Sequence, residues 1–213
     1  MSLRHRNSLI GCTLFFITTT VGQFLEPFTD SNACDLLIEN IKHYQERYKF
    51  IILAYVIMPS HFHWIVEVNK ECGTVSDIMR DIKKYSAWDI MEYLTKKEAG
   101  LNKIFKEAVK NYDDQKRKFW MPRFDDKVIR NEKMFWEKLR YIHNNPVEEG
   151  LVIKPEDYKY SSARNYVYGD HTVIEVDTSY AGMYIHKMPV TEWSVTARKN
   201  IRVQEIMFMV ITQ

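Results

Sequence analysis

The sequence has few cysteines, little excess charge of either sign and no long apolar run. Its three cysteines, Cys12, Cys34 and Cys72, are odd in number and far apart, which argues against a disulfide framework and predicts reduced thiols. The 30 basic and 28 acidic residues leave a formal net charge of +2, so the total charge neither requires nor excludes a nucleic-acid partner. No segment reaches the ~18 apolar residues of a membrane span. We therefore expect a cytoplasmic protein with no membrane partner.

Strand-like and helix-like segments alternate along the 213 residues, of which 46% are apolar and 27% charged. The first segment, TLFFITTTV, follows basic residues and weakly resembles a signal peptide, but its β-branched and aromatic residues favour a strand. The runs KFIILAYVIM and HFHWIVEV predict an antiparallel pair of strands. The full order is strand, helix, strand, strand, helix, strand, helix. It predicts an α+β domain, with an antiparallel sheet and helices gathered on one face.

Composition also suggests where this domain ends. We predict one domain over residues 1–180, with a charged insertion at about 95–118, and a C-terminal extension of unknown role over 181–213. A tyrosine-rich segment, 158–168, fits no regular pattern, and its residues Tyr158, Tyr160 and Tyr166 are expected to be structural.

Two histidines stand at the start of the apolar run HFHWIVEV. Because alternate residues of a strand point to the same face, His61 and His63 project together while Phe62 points to the other face. A pair of adjacent imidazoles can bind a metal ion. The pattern is equally compatible with surface histidines or with histidines that are hydrogen-bonded in a core.

A predicted helix over 131–145 carries a second pair of polar residues. It starts at a capping residue, Asn131, and stops at Pro146. Tyr141 and Asn145 are four residues apart and so share one face of this helix. An amide oxygen suits a hard divalent cation and a tyrosine can act as a nucleophile. Alternatively, Tyr141 is a core aromatic residue and Asn145 only ends the helix.

Four motifs together resemble a known family. The motifs VIMPSHFHWIVEV, DIKKYSA, FDDKVIRNEKMFWEKLRYIHNNPVEEGLV and DYKYSSARNY occur in the order found in REP-associated tyrosine transposases. These proteins are relatives of small insertion-sequence transposases in the HUH superfamily of single-stranded DNA endonucleases. The resemblance covers roughly residues 10–170. It implies a ferredoxin-like or RRM-like fold, in agreement with the element order.

The resemblance also implies roles for individual residues. His61 and His63 match the two histidine metal ligands, Tyr141 matches the catalytic tyrosine, and Asn145 matches the amide that completes the metal site. The implied cofactor is Mg²⁺ or Mn²⁺. The implied reaction is cleavage and rejoining of single-stranded DNA through a 5′-phosphotyrosine intermediate. His143, two residues after the tyrosine, is expected to point away from the site.

The implied partner is single-stranded DNA with a hairpin, and the resemblance allows a homodimer. DNA would be held by cationic and aromatic side chains. The candidates are Lys83, Lys84, Arg123, Lys127 and Arg130, with Tyr85 and Trp120 as stacking residues. Two other functions are weighed against this one. The first is a non-catalytic nucleic-acid-binding protein with an RRM-like sheet, and the second is a zinc hydrolase using the two histidines with Asp125 or Asp126.

Overall fold

The structure, a computed structural model, describes residues 14–97 and 119–179. Its strands are β1 (Leu14–Thr20), β2 (Ile51–Met58), β3 (His61–Glu67) and β4 (Asp125–Val128), and its helices are α1 (Ser31–Tyr48), α2 (Val75–Lys97), α3 (Glu132–Glu148) and α4 (Ala163–Tyr168). The predicted order of the first seven elements is confirmed. The predicted charged insertion begins inside α2, and residues 98–118 and 181–213 lie outside the described residues. None of the described helices is both long enough and apolar enough to span a membrane.

The four strands form one antiparallel sheet in the order β2-β3-β1-β4. Two β-α-β units, β1-α1-β2 and β3-α2-β4, interleave to give this order, as in ferredoxin-like folds. The predicted α+β class is therefore confirmed. Strands β1 and β3 are central and have a neighbouring strand on each side, so their residues can be fully enclosed.

Helices cover both faces of the sheet, so the prediction that they gather on one face is wrong. Helices α1 and α2 pack on the face that carries Phe15, Ile17 and Trp64. Helix α3 packs on the opposite face, against Phe16 and Ile65. The apolar runs of β1, β2 and β3 are nearly continuous rather than alternating, and such runs are typical of strands buried on both faces.

The tyrosine-rich segment pairs with the outer edge of β2. Two backbone hydrogen bonds join them. The Ile57 amide donates to the Tyr160 carbonyl, and the Ser162 amide donates to the Tyr55 carbonyl. The Tyr55 amide donates to the Ser162 hydroxyl at 2.9 Å. Three further donors reach this edge, namely the Tyr158 hydroxyl to the Ile57 carbonyl, the Tyr166 hydroxyl to the Leu53 carbonyl and the Asp177 amide to the Ile52 carbonyl. The prediction of structural tyrosines is confirmed.

Helix α3 begins as predicted, since the Asn131 side chain accepts from the Met134 amide at 2.9 Å. It does not stop at Pro146 but continues to Glu148. Proline has no backbone N–H, so the helix loses the hydrogen bond that this residue would donate. Within the last turn the loss is limited to that one bond. As a result Asn145 keeps its helical position one turn after Tyr141.

Candidate active site

Polar side chains occupy one end of the sheet face that α3 covers. In the strand register, His61 lies opposite Thr20 and His63 lies opposite Thr18. Residues directly opposite each other in an antiparallel pair point to the same face. Further across the sheet, β4 places Asp125 opposite Thr18 and Lys127 opposite Phe16. The rest of this face is apolar and packs against Phe135, Leu139 and Ile142 of α3.

The two histidines are side by side, with their Nδ1 atoms held by hydroxyl groups. Their ring centroids are 4.7 Å apart, and Phe62 is buried on the other face, as predicted. The Thr18 hydroxyl lies 2.8 Å from His63 Nδ1, and the Ser60 hydroxyl lies 3.1 Å from His61 Nδ1. A hydroxyl that accepts from Nδ1–H fixes the tautomer in which Nε2 has a free lone pair. In that tautomer each histidine can bind a cation through Nε2.

Burial keeps both imidazoles neutral. Loss of solvent lowers the pKa of His61, and it lowers the pKa of His63 to about 3, with further lowering by His61 and by the cation Lys138. His63 is only 3% exposed. Because a metal ion binds the unprotonated imidazole, the histidines need to lose no proton at neutral pH before they bind one.

Tyr141 lies directly over His63. Its hydroxyl oxygen is 3.4 Å from His63 Nε2, and the two ring centroids are 5.1 Å apart. Phe16 supports both rings, stacking on His63 at 5.7 Å and meeting Tyr141 edge-on at 6.0 Å. Tyr141 remains 41% exposed. The alternative that it is a core aromatic residue is therefore wrong, and its hydroxyl is accessible next to the histidine pair.

The predicted third ligand, Asn145, lies one helical turn beyond Tyr141 and is 5% exposed. Its role in metal binding stays a prediction. Within residues 14–97 and 119–179, no group of three His, Cys, Asp or Glu side chains could hold a metal ion. The zinc-hydrolase alternative requires a carboxylate from Asp125 or Asp126 beside the histidines, and the described residues give it no support.

His143 points away from the site, as expected. It is fully buried, and its Nε2 lies 2.7 Å from the Ser162 hydroxyl. Burial lowers its pKa to about 3. The residue joins α3 to the segment that pairs with β2, and so it is structural.

The predicted DNA-binding residues lie on both sides of the sheet. Lys83, Lys84 and Tyr85 belong to α2, on the side away from the histidines. The Lys83 ammonium donates to the Met121 carbonyl at 2.7 Å and to the Arg123 carbonyl at 3.3 Å, so it supports the chain leading into β4. Trp120 is 5% exposed and bonds the Ser86 hydroxyl, and its prediction as a base-stacking residue is wrong.

The remaining candidates flank the tyrosine side of the sheet. Lys127 is on β4, on the face of His63, while Arg123 and Arg130 are exposed just before and after that strand. Sequence reasoning missed one residue here, Lys138. Its ammonium lies 4.8 Å from the Phe16 ring centroid and 5.6 Å from that of Tyr141. Its position three residues before Tyr141, on the same helical face, was the available signal.

An interleaved β-α-β sheet with a tyrosine over a His-x-His pair defines a class of protein, the small tyrosine transposases. The family model for IS200-like transposases matches residues 26–145. The chain belongs to this family.

Individual relatives agree with that assignment. The chain is 29% identical over 113 residues to a REP-associated tyrosine transposase of Escherichia coli, a match that covers 53% of this chain and 54% of that protein. It is 27% identical over 162 residues to a REP-associated tyrosine transposase of Haemophilus influenzae, covering 74% of this chain and 84% of that protein. The chain thus spans about half the length of the first relative.

A solved structure shares the fold. It is a REP-associated tyrosine transposase bound to a REP hairpin, with a TM-score of 0.56 and 23% sequence identity, covering 78% of this chain and 93% of that one.

Proposed function

We propose that this protein cleaves and rejoins single-stranded DNA through a covalent 5′-phosphotyrosine at Tyr141. The observation that carries the proposal is the exposed Tyr141 hydroxyl 3.4 Å from the Nε2 of a buried, neutral histidine. A structural tyrosine would have no need of a half-exposed position over a histidine pair. A nucleophile must be reachable by its substrate and close to the groups that orient the reacting phosphate.

The residues fit a divalent cation. His61 and His63 present Nε2 atoms backed by hydroxyl groups, and Asn145 would add an amide oxygen, which together suit Mg²⁺ or Mn²⁺ with open positions for water and phosphate. A cation held there supplies Lewis-acid polarisation of a phosphate oxygen. The polypeptide supplies the nucleophile and its orientation, because Phe16 and His63 fix the Tyr141 ring on two sides.

The reaction exchanges one phosphodiester bond for another. A bond forms between the Tyr141 oxygen and phosphorus, the bond from phosphorus to the 3′ oxygen breaks, and the proton lost by the phenol is balanced by the proton gained at the new 3′-hydroxyl. A second 3′-hydroxyl that attacks the phosphotyrosine reverses these changes and joins two strands. No external energy source is required, because the number of phosphate ester bonds does not change.

The proposed substrate is a DNA hairpin with single-stranded flanks. The structural neighbour is bound to a REP hairpin, and this chain shares its fold. Lys127 on the tyrosine side of the sheet, and Arg123 and Arg130 just before and after β4, are exposed cations that could contact the backbone phosphates. The packing of α3 on the sheet face that an RRM-like module would use to stack bases argues against the non-catalytic alternative.

Replacing Tyr141 tests this function. Tyr141→Phe removes one oxygen and keeps the ring on Phe16, so the fold and DNA affinity should persist while covalent adduct formation is lost. Tyr85→Phe is the matched control, because Tyr85 is 42% exposed and lies on α2, away from the histidines. The assay is denaturing electrophoresis with Mn²⁺ and a hairpin labelled on the 3′ side of the cut. An adduct that persists in Tyr141→Phe would overturn the proposal.

A further inference from the structure

Lys138 is a partly buried cation whose pKa is lowered overall by burial and by the charge of Lys127, although the charge of its neighbour Glu137 raises it. Its ammonium lies above the Phe16 ring and beside the Tyr141 ring, at 4.8 and 5.6 Å from their centroids. Among the residues that the structure describes, no carboxylate comes within ion-pair distance of it. Other cations of the described chain do have such partners, as in Lys96 with Glu92, Lys97 with Asp30 and Arg164 with Asp170.

A second cation lies nearby. Lys127 is opposite Phe16 on β4, so its side chain leaves the sheet on the face where Lys138 lies. Burial is the main cause that lowers the pKa of Lys138, and the charge of Lys127 lowers it further. Lys138 has lost part of its hydration and is repelled by the charge of Lys127. A bound anion would relieve both costs.

The position of the two lysines specifies the anion. Lys138 lies beside the nucleophile proposed above, and Lys127 leaves the sheet on the same face. We propose that Lys138, assisted by Lys127, binds the phosphate that Tyr141 attacks, an inference that rests on the proposed function.

The ammonium donates hydrogen bonds to a non-bridging oxygen of the scissile phosphate. When the Tyr141 oxygen bonds to phosphorus and the 3′ oxygen leaves, the phosphotyrosine keeps one negative charge, so Lys138 holds substrate and intermediate alike. The lysine gives up no proton in this role, and the atoms and charges of the exchange stay as described above.

A purely structural role is the competing explanation, in which the lysine stem only covers Phe16. Lys138→Gln keeps most of that stem and removes the charge, and Lys138→Arg keeps the charge. Lys133→Gln is the matched control, since Lys133 is an exposed lysine in the first turn of the same helix. Thermal unfolding followed by circular dichroism shows whether each variant is folded.

The first measurement needs no catalysis. Fluorescence anisotropy gives the affinity of each variant for a labelled oligothymidylate over a range of salt concentrations, without divalent metal. Loss of one phosphate contact should lower the slope of log K against log salt by about 0.7 in Lys138→Gln and leave it unchanged in Lys138→Arg and Lys133→Gln. An unchanged slope in Lys138→Gln overturns the phosphate site.

The second measurement uses two forms of a hairpin substrate. One has a normal phosphate at the cleavage position, and the other has a neutral methylphosphonate there. With the normal phosphate, Lys138→Gln should form adduct about 10- to 100-fold more slowly than the unmodified chain, as expected for loss of one charge-assisted contact to the reacting group. With the methylphosphonate, the two proteins should react at similar rates. An equal loss on both substrates would make Lys138 structural. If the salt slope is lower in Lys138→Gln but the unmodified chain never forms an adduct, the phosphate site is retained and the proposed function is overturned.

Discussion

At the scale of single residues, hydroxyl groups lie against the Nδ1 atoms of both histidines. Thr18 is on the strand next to His63, and its hydroxyl lies 2.8 Å from Nδ1. Such partners orient a ligating imidazole and keep the proton on the nitrogen that faces away from the metal. The threonine would thus support the proposed metal site, although its residue type gives no sign of this in the sequence.

Thr18→Val should weaken binding of Mn²⁺ by about 10- to 100-fold, the range found when such supporting partners are removed. Valine keeps the β-branched shape of threonine, so β1 should form normally. Thr18→Ser keeps the hydroxyl and should retain most of the affinity. Calorimetric titration of the metal-free protein with Mn²⁺ measures the effect, and equal affinity in Thr18→Val and Thr18→Ser would contradict it.

At the scale of elements, the placement of Tyr141 depends on contacts made by the opposite side of its helix. His143 of α3 lies 2.7 Å from the Ser162 hydroxyl, which also accepts from the Tyr55 amide. One serine therefore links α3, the edge of β2 and the start of α4. This link and the packing of Phe135, Leu139 and Ile142 on the sheet both hold α3 in the orientation in which residue 141 faces the histidine pair.

Ser162→Ala should reduce the free energy of unfolding by about 1–3 kcal/mol, because it removes the hydroxyl that accepts from the buried Tyr55 amide and lies 2.7 Å from His143 Nε2. Ser31→Ala removes an exposed hydroxyl at the start of α1 and should change stability by less than about 0.5 kcal/mol. Urea unfolding of both variants at pH 7 makes the comparison. A similar, small change in the two proteins would show that the link does not stabilise the fold.

Sequence patterns predicted those features that depend on nearby residues. The face shared by His61 and His63 follows from strand alternation, and the start of α3 follows from Asn131 as a cap. Features that depend on distant segments were missed or wrong. Strand periodicity does not say which helix covers which face, and no local pattern shows that Trp120 bonds Ser86 or that tyrosines 158 and 166 bond carbonyl groups of β2.

At the scale of the whole molecule, two buried histidines make stability depend on pH. Burial lowers the pKa of His63 and His143 to about 3 in the folded chain, against about 6.5 when unfolded. Between these values the unfolded chain binds more protons than the folded one. Stability is therefore fully present above pH ~6.5 and is lost as pH falls toward ~3.

For each of these histidines, the free energy of unfolding should fall by about 1.4 kcal/mol per pH unit once the pH is well below 6.5. The measurement is urea unfolding in EDTA between pH 7 and pH 5. His143→Gln keeps a polar group beside the Ser162 hydroxyl and removes one titrating group, so its stability should fall less steeply with pH than that of the unmodified chain. An equal pH dependence in the two proteins would show that His143 is not the buried neutral group described here.

The pairing of the tyrosine-rich segment with β2 has a consequence for contacts between molecules. A free strand edge can accept a strand from another copy, which leads to sheet extension and aggregation. Along β2 the backbone groups of Ile52, Leu53, Tyr55 and Ile57 that point outward already have partners within the same chain. The other edge strand, β4, has only 4 residues, three of which are charged. Two copies of this chain could therefore join through β2 into a continuous sheet only if the tyrosine-rich segment first left that edge.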